Sequence, residues 1–203
     1  MKTKSLLQAG ALALALTATS LPAAVIFDSL GSGTIAVGGG PGTSWAQNFD
    51  VPAGNYTLSS VLLGMKNNSP FSPVSGSGFY VQLWTTVSGA PGTKIGDLSG
   101  NDNPYLAGQY SYTGSYSLTG GTSYYILAGS TSINFQWLKN ATIGTGSTTY
   151  GNISSQSTSV NPDALQMQVD LSPVPEPTEW AAVSVAMLGL VYVAKRRLAP
   201  VRQ

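Results

Sequence analysis

Between residues 25 and 171, apolar and polar positions alternate with the two-residue period of a β-strand, and no helical period of useful length appears. Leu165, Met167, Val169 and Leu171 are separated by Gln166, Gln168 and Asp170, the pattern of a strand with one buried face. Val61, Leu63 and Met65 alternate with Ser60, Leu62 and Gly64, which predicts a more deeply buried strand. Phe79, Val81 and Leu83 alternate with Tyr80, Gln82 and Trp84, so the second set falls on the opposite face. The runs 124–128 and 133–137 predict two further strands, 44–51 and 109–118 two more, with weaker ones near 25–29 and 34–37.

Turn signals separate these runs: Gly38-Gly-Gly-Pro-Gly42, Pro52-Ala-Gly-Asn55, Asn67-Asn-Ser-Pro70, Ser88-Gly-Ala-Pro-Gly92, Gly100-Asn-Asp-Asn-Pro104 and Gly120-Gly121. Many short strands with frequent turns predict an all-β chain, an antiparallel β-sandwich of jelly-roll-like form. The stretch 139–163 is rich in Ser, Thr and Gly and reads as a long loop or edge hairpin, because the clearest strand follows it.

The two ends have a different character. Lys2 and Lys4, then Leu6-Leu7 and the apolar run 9–16, then Pro22, Ala23 and Ala24 read as a secretory signal helix, with cleavage expected after Ala23 or Ala24. At the other end, Val174-Pro175-Glu176-Pro177 precedes an apolar run over 180–194 and the cluster Lys195-Arg196-Arg197. Two prolines so close together favour an extended spacer. The run of 15 residues is short of the roughly 20 that span a bilayer comfortably. A basic cluster stays on the cytoplasmic side. The chain therefore divides into a signal peptide over 1–24, a β-sandwich over 25–172, and a C-terminal segment over 173–203 with a short hydrophobic helix and a basic tail.

The order Pro-Glu-Pro, short apolar helix and basic cluster at the C-terminus resembles the PEP-CTERM sorting signal of Gram-negative bacteria, over about residues 174–197. That resemblance implies processing near the motif by an exosortase, a membrane-embedded transpeptidase, in cells that make exopolysaccharide. It makes Pro175, Glu176 and Pro177 the recognition motif, and Lys195, Arg196 and Arg197 the retention cluster. The chain continues six residues past Arg197, further than in many members. Within the body, Ala46-Gln-Asn-Phe49, Tyr56-Thr-Leu-Ser-Ser-Val61, Val81-Gln-Leu-Trp84 with Gly89-Ala-Pro-Gly92, and Ser123-Tyr-Tyr-Ile126 resemble the choice-of-anchor extracellular domains. These motifs are loose, and the resemblance implies a surface β-sandwich with no assigned activity.

Composition narrows the chemistry. Charged residues are only 8% of the chain, so Ser, Thr, Asn, Gln and Tyr must solvate its surface. The 10 Tyr, 5 Phe and 4 Trp argue for a packed core rather than disorder. The body holds Lys66, Lys94 and Lys139 against six aspartates, a net charge of −3. Three scattered lysines cannot neutralise a phosphate backbone, which makes nucleic acid a poor partner. With no Cys and no His, disulfides, thiolate or imidazole metal sites, Cys nucleophiles and His-based triads are all excluded.

Glycoside hydrolysis needs two carboxylates at a set separation, and the body offers only aspartates, among them Asp97, Asp102, Asp163 and Asp170, which read as turn or solvent residues. The run Asp97-Leu-Ser-Gly-Asn-Asp-Asn103 clusters oxygen atoms without EF-hand spacing and reads as a turn rather than a calcium loop. No enzyme, metal site or cofactor is expected. Tyr80, Trp84, Tyr110 and Tyr112 are candidates for stacking on sugar rings if they are exposed. The expected partners are the processing enzyme, the inner membrane through 180–194, and an exopolysaccharide. The expected destination is the cell surface or extracellular matrix, where the protein serves as a structural component or as a carbohydrate-binding module.

Overall fold

The computed structural model describes residues 23–66, 78–140, 149–151, 163–175 and 187–189. The chain divides into two compact units, Ala23–Val174 and the combined segments Met1–Pro22 and Pro175–Gln203. Of the second unit, the described residues are Pro175 and 187–189, the latter helical. The expected signal helix, most of the hydrophobic run 180–194, Glu176, Pro177 and the basic cluster 195–197 lie outside the described residues.

The first unit is all-β and antiparallel. Its strands are β1 (Ala24–Asp28), β2 (Ala36–Gly39), β3 (Thr43–Asp50), β4 (Asn55–Met65), β5 (Phe79–Val87), β6 (Ala90–Gly100), β7 (Gly108–Thr119), β8 (Ser123–Ser130), β9 (Phe135–Asn140), β10 (Thr149–Gly151), β11 (Ala164–Leu165) and β12 (Met167–Pro173). One hydrogen-bonded path runs β1-β12-β4-β7-β6-β5-β8-β3-β10, and β9 joins it beside β4, carrying β2 and β11. Successive strands from β3 to β8 fall alternately on the β4/β7 limb and the β5/β8/β3 limb, with β6 bridging the two. The path curls because a single core lies inside it. Val61 and Leu63 of β4 share that core with Val81 and Leu83 of β5, Ile126 of β8 and Phe49 of β3. Across it, the Phe79 ring lies 6.0 Å from that of Tyr112 and 5.2 Å from that of Phe135.

The 165–171 alternation is realised with every odd position fully buried, yet the strand is broken. Ala164 and Leu165 pair with β9, whereas 167–173 pair with β4 and β1. The change of partner falls at Gln166, and buried polar groups complete the backbone around it. The Ser29 hydroxyl donates to the Leu165 and Met167 carbonyls and accepts from Met167 N–H. Gln47 Oε1 accepts from Leu165 N–H at 2.9 Å, and Trp137 Nε1 donates to the Gln166 carbonyl at 2.8 Å. Buried backbone groups left unpaired would each cost about 1–3 kcal/mol, so these side chains are what permits the break.

Strand β6 was not expected from the sequence, because its inward positions are not apolar. Gly96 and Gly100 stand where large side chains would be looked for, with Leu98 between them. A Cβ at Gly96 would lie 2.3 Å from the Tyr116 hydroxyl, and one at Gly100 would lie 2.3 Å from the Tyr112 ring. Tyrosines of β7 fill the space that β6 leaves empty. The first part of β6 pairs with β5 and its last residues, Ser99 and Gly100, pair with β7. This hand-over joins the two limbs.

The body's two ends are neighbours. Ala24 stands opposite Leu171 across β1 and β12, and the ladder closes with Val174 N–H donating to the Asn55 carbonyl at 2.9 Å. Pro175, which has no N–H, follows directly.

Candidate functional site: an outward aromatic face

Of the four aromatics named as stacking candidates, Tyr80 and Trp84 fall on one outward face, Tyr112 is buried and Tyr110 is half-buried. Tyr112 is 2% exposed and belongs to the core, with its hydroxyl donating to the Asn101 carbonyl at 2.9 Å. Burial, and secondarily the neighbouring Tyr110 and Asp102, raises its pKa well above the ordinary tyrosine value. Tyr110 sits two residues away on the same inward side of β7, packs against the core, and donates to the Leu106 carbonyl at 3.0 Å. Tyr112, a stacking candidate only if exposed, is therefore a core residue, whereas Tyr110 stays half-buried. The cause is the run of small residues in β6, which draws the β7 tyrosines inward.

Tyr80 and Trp84 do share an outward face, on β5, and pack against a second, smaller cluster of Ala46, Tyr125 and Leu127. The register sets the rows of this face. One row reads Asn48, Tyr125, Trp84, Lys94 across β3, β8, β5 and β6. The next reads Ala46, Leu127, Gln82, Asp97, and the third reads Ser44, Gly129, Tyr80. Strand β8 is thus buried on both faces, by the core beneath and by this cluster above, as its unbroken apolar run requires.

A chain of polar contacts runs beside the rings. Trp84 Nε1 donates to Gln82 Oε1 at 3.1 Å, Gln82 Nε2 donates to Asp97 Oδ1 at 2.9 Å, and Lys94 Nζ reaches the Asp97 carboxylate at 2.7 Å. The hydrogen bond from Lys94 holds the Asp97 carboxyl below its ordinary pKa, against the opposing effect of its partial burial and with help from Gln82. Tyr80 has its pKa raised by burial, with Lys94 acting the other way.

Three of the aspartates weighed as catalytic or calcium-binding, Asp97, Asp163 and Asp170, are engaged in local structure. Asp97 is held by Lys94 and Gln82, while Asn101 Oδ1 accepts from Asn103 N–H at 2.7 Å in a side-chain-closed turn. Asp170 accepts from Ser60 and Gln168, and Asp163 lies 3.7 Å from Lys139. Among the described residues no group of three carboxylate, Cys or His side chains is placed to hold a metal ion. No helix among them is long and apolar enough to cross a membrane.

No family model matches the chain, and no curated protein matches it. The described body also carries a cavity of about 260 Å³ beside Gly38, Gly39, Gly40, Thr43 and Phe135, lined without any titratable side chain.

Proposed function

We propose that the chain is an exported, non-enzymatic protein of the bacterial cell surface or exopolysaccharide matrix, delivered by its N-terminal signal and sorted through its C-terminal Pro-Glu-Pro tag by an exosortase-like enzyme. The observation that carries this reading is the order of three parts at the C-terminus: Pro175-Glu176-Pro177, the apolar run 180–194 and Lys195-Arg196-Arg197. Supporting it, the β ladder of the described body closes at Val174, and Pro175, which has no N–H to continue it, follows directly. The chain also enters and leaves the body at one end, through the paired strands β1 and β12. The body is read as a jelly-roll-like sandwich with the two limbs as its layers, in keeping with the alternation of strands between them.

Replacing Pro175, Glu176 and Pro177 with alanine tests the sorting role in the native bacterium. The expected outcome is retention of the uncut chain in the inner membrane. Unchanged surface delivery and tail removal would overturn the reading.

Carbohydrate binding is a second reading of the body, favoured by Tyr80 and Trp84 standing on one outward face. A glycan screen with no binding would end it.

A further inference from the structure

Tyrosine hydroxyls in this body are anchored to the backbone almost everywhere. Those of Tyr56, Tyr110, Tyr112, Tyr116 and Tyr125 donate to carbonyls of nearby turns or strands, and that of Tyr124 accepts from Thr119 N–H. Tyr80 departs from this use. Its ring lies across Gly129, where a Cβ would meet the Tyr80 hydroxyl at 2.5 Å, and among the described residues that hydroxyl has no hydrogen-bond partner. The indoles divide in the same way. Trp45 and Trp137 donate to the backbone carbonyls of Gly38 and Gln166, whereas Trp84 donates to the Gln82 side chain and through it joins Asp97 and Lys94.

We propose that this outward face is a platform for a neutral, extended polysaccharide, with Trp84 and Tyr80 as its stacking rings and Gln82, Asp97 and Lys94 as residues that position Trp84. The proposal rests on the carbohydrate-binding reading and assigns that reading a site and a ligand class. Two half-buried rings held by packing and by a hydrogen-bonded relay have little freedom left to lose, which is the condition for rigid aromatic recognition. A pyranose with equatorial hydroxyls presents a flat face of C–H bonds that fits such rings, while its hydroxyls meet the free Tyr80 O–H and the neighbouring neutral groups.

The ligand's charge follows from the face. Its cation, Lys94, is already matched by Asp97 at 2.7 Å, and the remaining row positions are uncharged. An acidic glycan finds no unmatched cation there. Its length follows from the strand. Tyr80 and Trp84 are four residues apart on β5, about 13 Å along a strand, so a single sugar ring cannot bridge them. The bound chain runs along β5.

Titration calorimetry on the full chain in detergent micelles provides the test, with cellohexaose, a hexamer of galacturonate and free glucose as probes. Cellohexaose is expected to bind, with the other two much weaker. Trp84→Leu should lower its affinity about tenfold, and Tyr80→Ser serves as the second stacking variant should Trp84→Leu fail to fold. Gln82→Leu should weaken binding about fivefold and alter the near-ultraviolet dichroism of Trp84. Cellohexaose binding that survives Trp84→Leu and Tyr80→Ser, or a preference for the galacturonate hexamer, would overturn the platform while leaving carbohydrate binding intact. No binding of cellohexaose would overturn the platform as drawn, while the carbohydrate reading falls only with the glycan screen.

Discussion

Tyr116 shows how single residues hold this protein together without disulfides and with few charges. Its ring covers Gly96 and Gly114, and its hydroxyl donates to the Asp97 carbonyl at 2.7 Å, where β6 passes from one limb to the other. Tyr116→Phe removes one hydrogen bond and should lower unfolding stability by about 1 kcal/mol, measured by denaturant titration. Gly96→Val forces the ring away and should cost about 1–3 kcal/mol in the same assay. Ser29→Ala, which strips the buried hydroxyl from the β11/β12 break, should cost about 1–3 kcal/mol. Asp97 supplies a pH test. Its folded pKa lies below the ordinary 3.8, so its contribution is complete above that value and is lost as pH falls through the depressed one. Lys94→Ala should move the Asp97 carboxyl titration upward, as followed by carbon NMR.

At the level of elements, legibility tracked whether the inward positions were apolar. Strands β4, β5, β7 and β8 follow from period-two alternation or an unbroken apolar run, because their core side chains belong to the strand itself. Strand β6 escaped notice since its inward places are held by glycine and filled from a neighbour, a property of a pair of strands. The break at Gln166 was equally silent: Leu165 and Met167 keep their alternation on both sides of it, and only the pairing partner changes. The candidate site was half legible. Alternation placed Tyr80 and Trp84 opposite Phe79, Val81 and Leu83, but it left open whether Tyr112 faces solvent or core. Gly100 of the neighbouring strand leaves the room its ring occupies. The relay through Gln82, Asp97 and Lys94 spans two strands, and only the register reveals it.

For the whole molecule, fold and destination meet at one end of the body. The pairing of Ala24 with Leu171 sets the proposed start of the mature chain beside the strand that leads to the proposed tag. Deleting residues 24–28 should expose the β12 edge and lower the midpoint of unfolding, since this edge strand carries part of the ladder that holds the last residues before Pro175. Lys2, Lys4 and the cluster 195–197 lie at the extremes of the sequence, outside a body of net charge −3. Such a distribution suits transfer of the body across a membrane with both basic ends left behind. Intact mass spectrometry of the protein recovered from the surface of its native cell tests this most directly. The expected species begins at Ala24 or Val25 and ends near Pro175-Glu176-Pro177, without residues 180–203. A surface species that still carries its tail through Gln203 would contradict it.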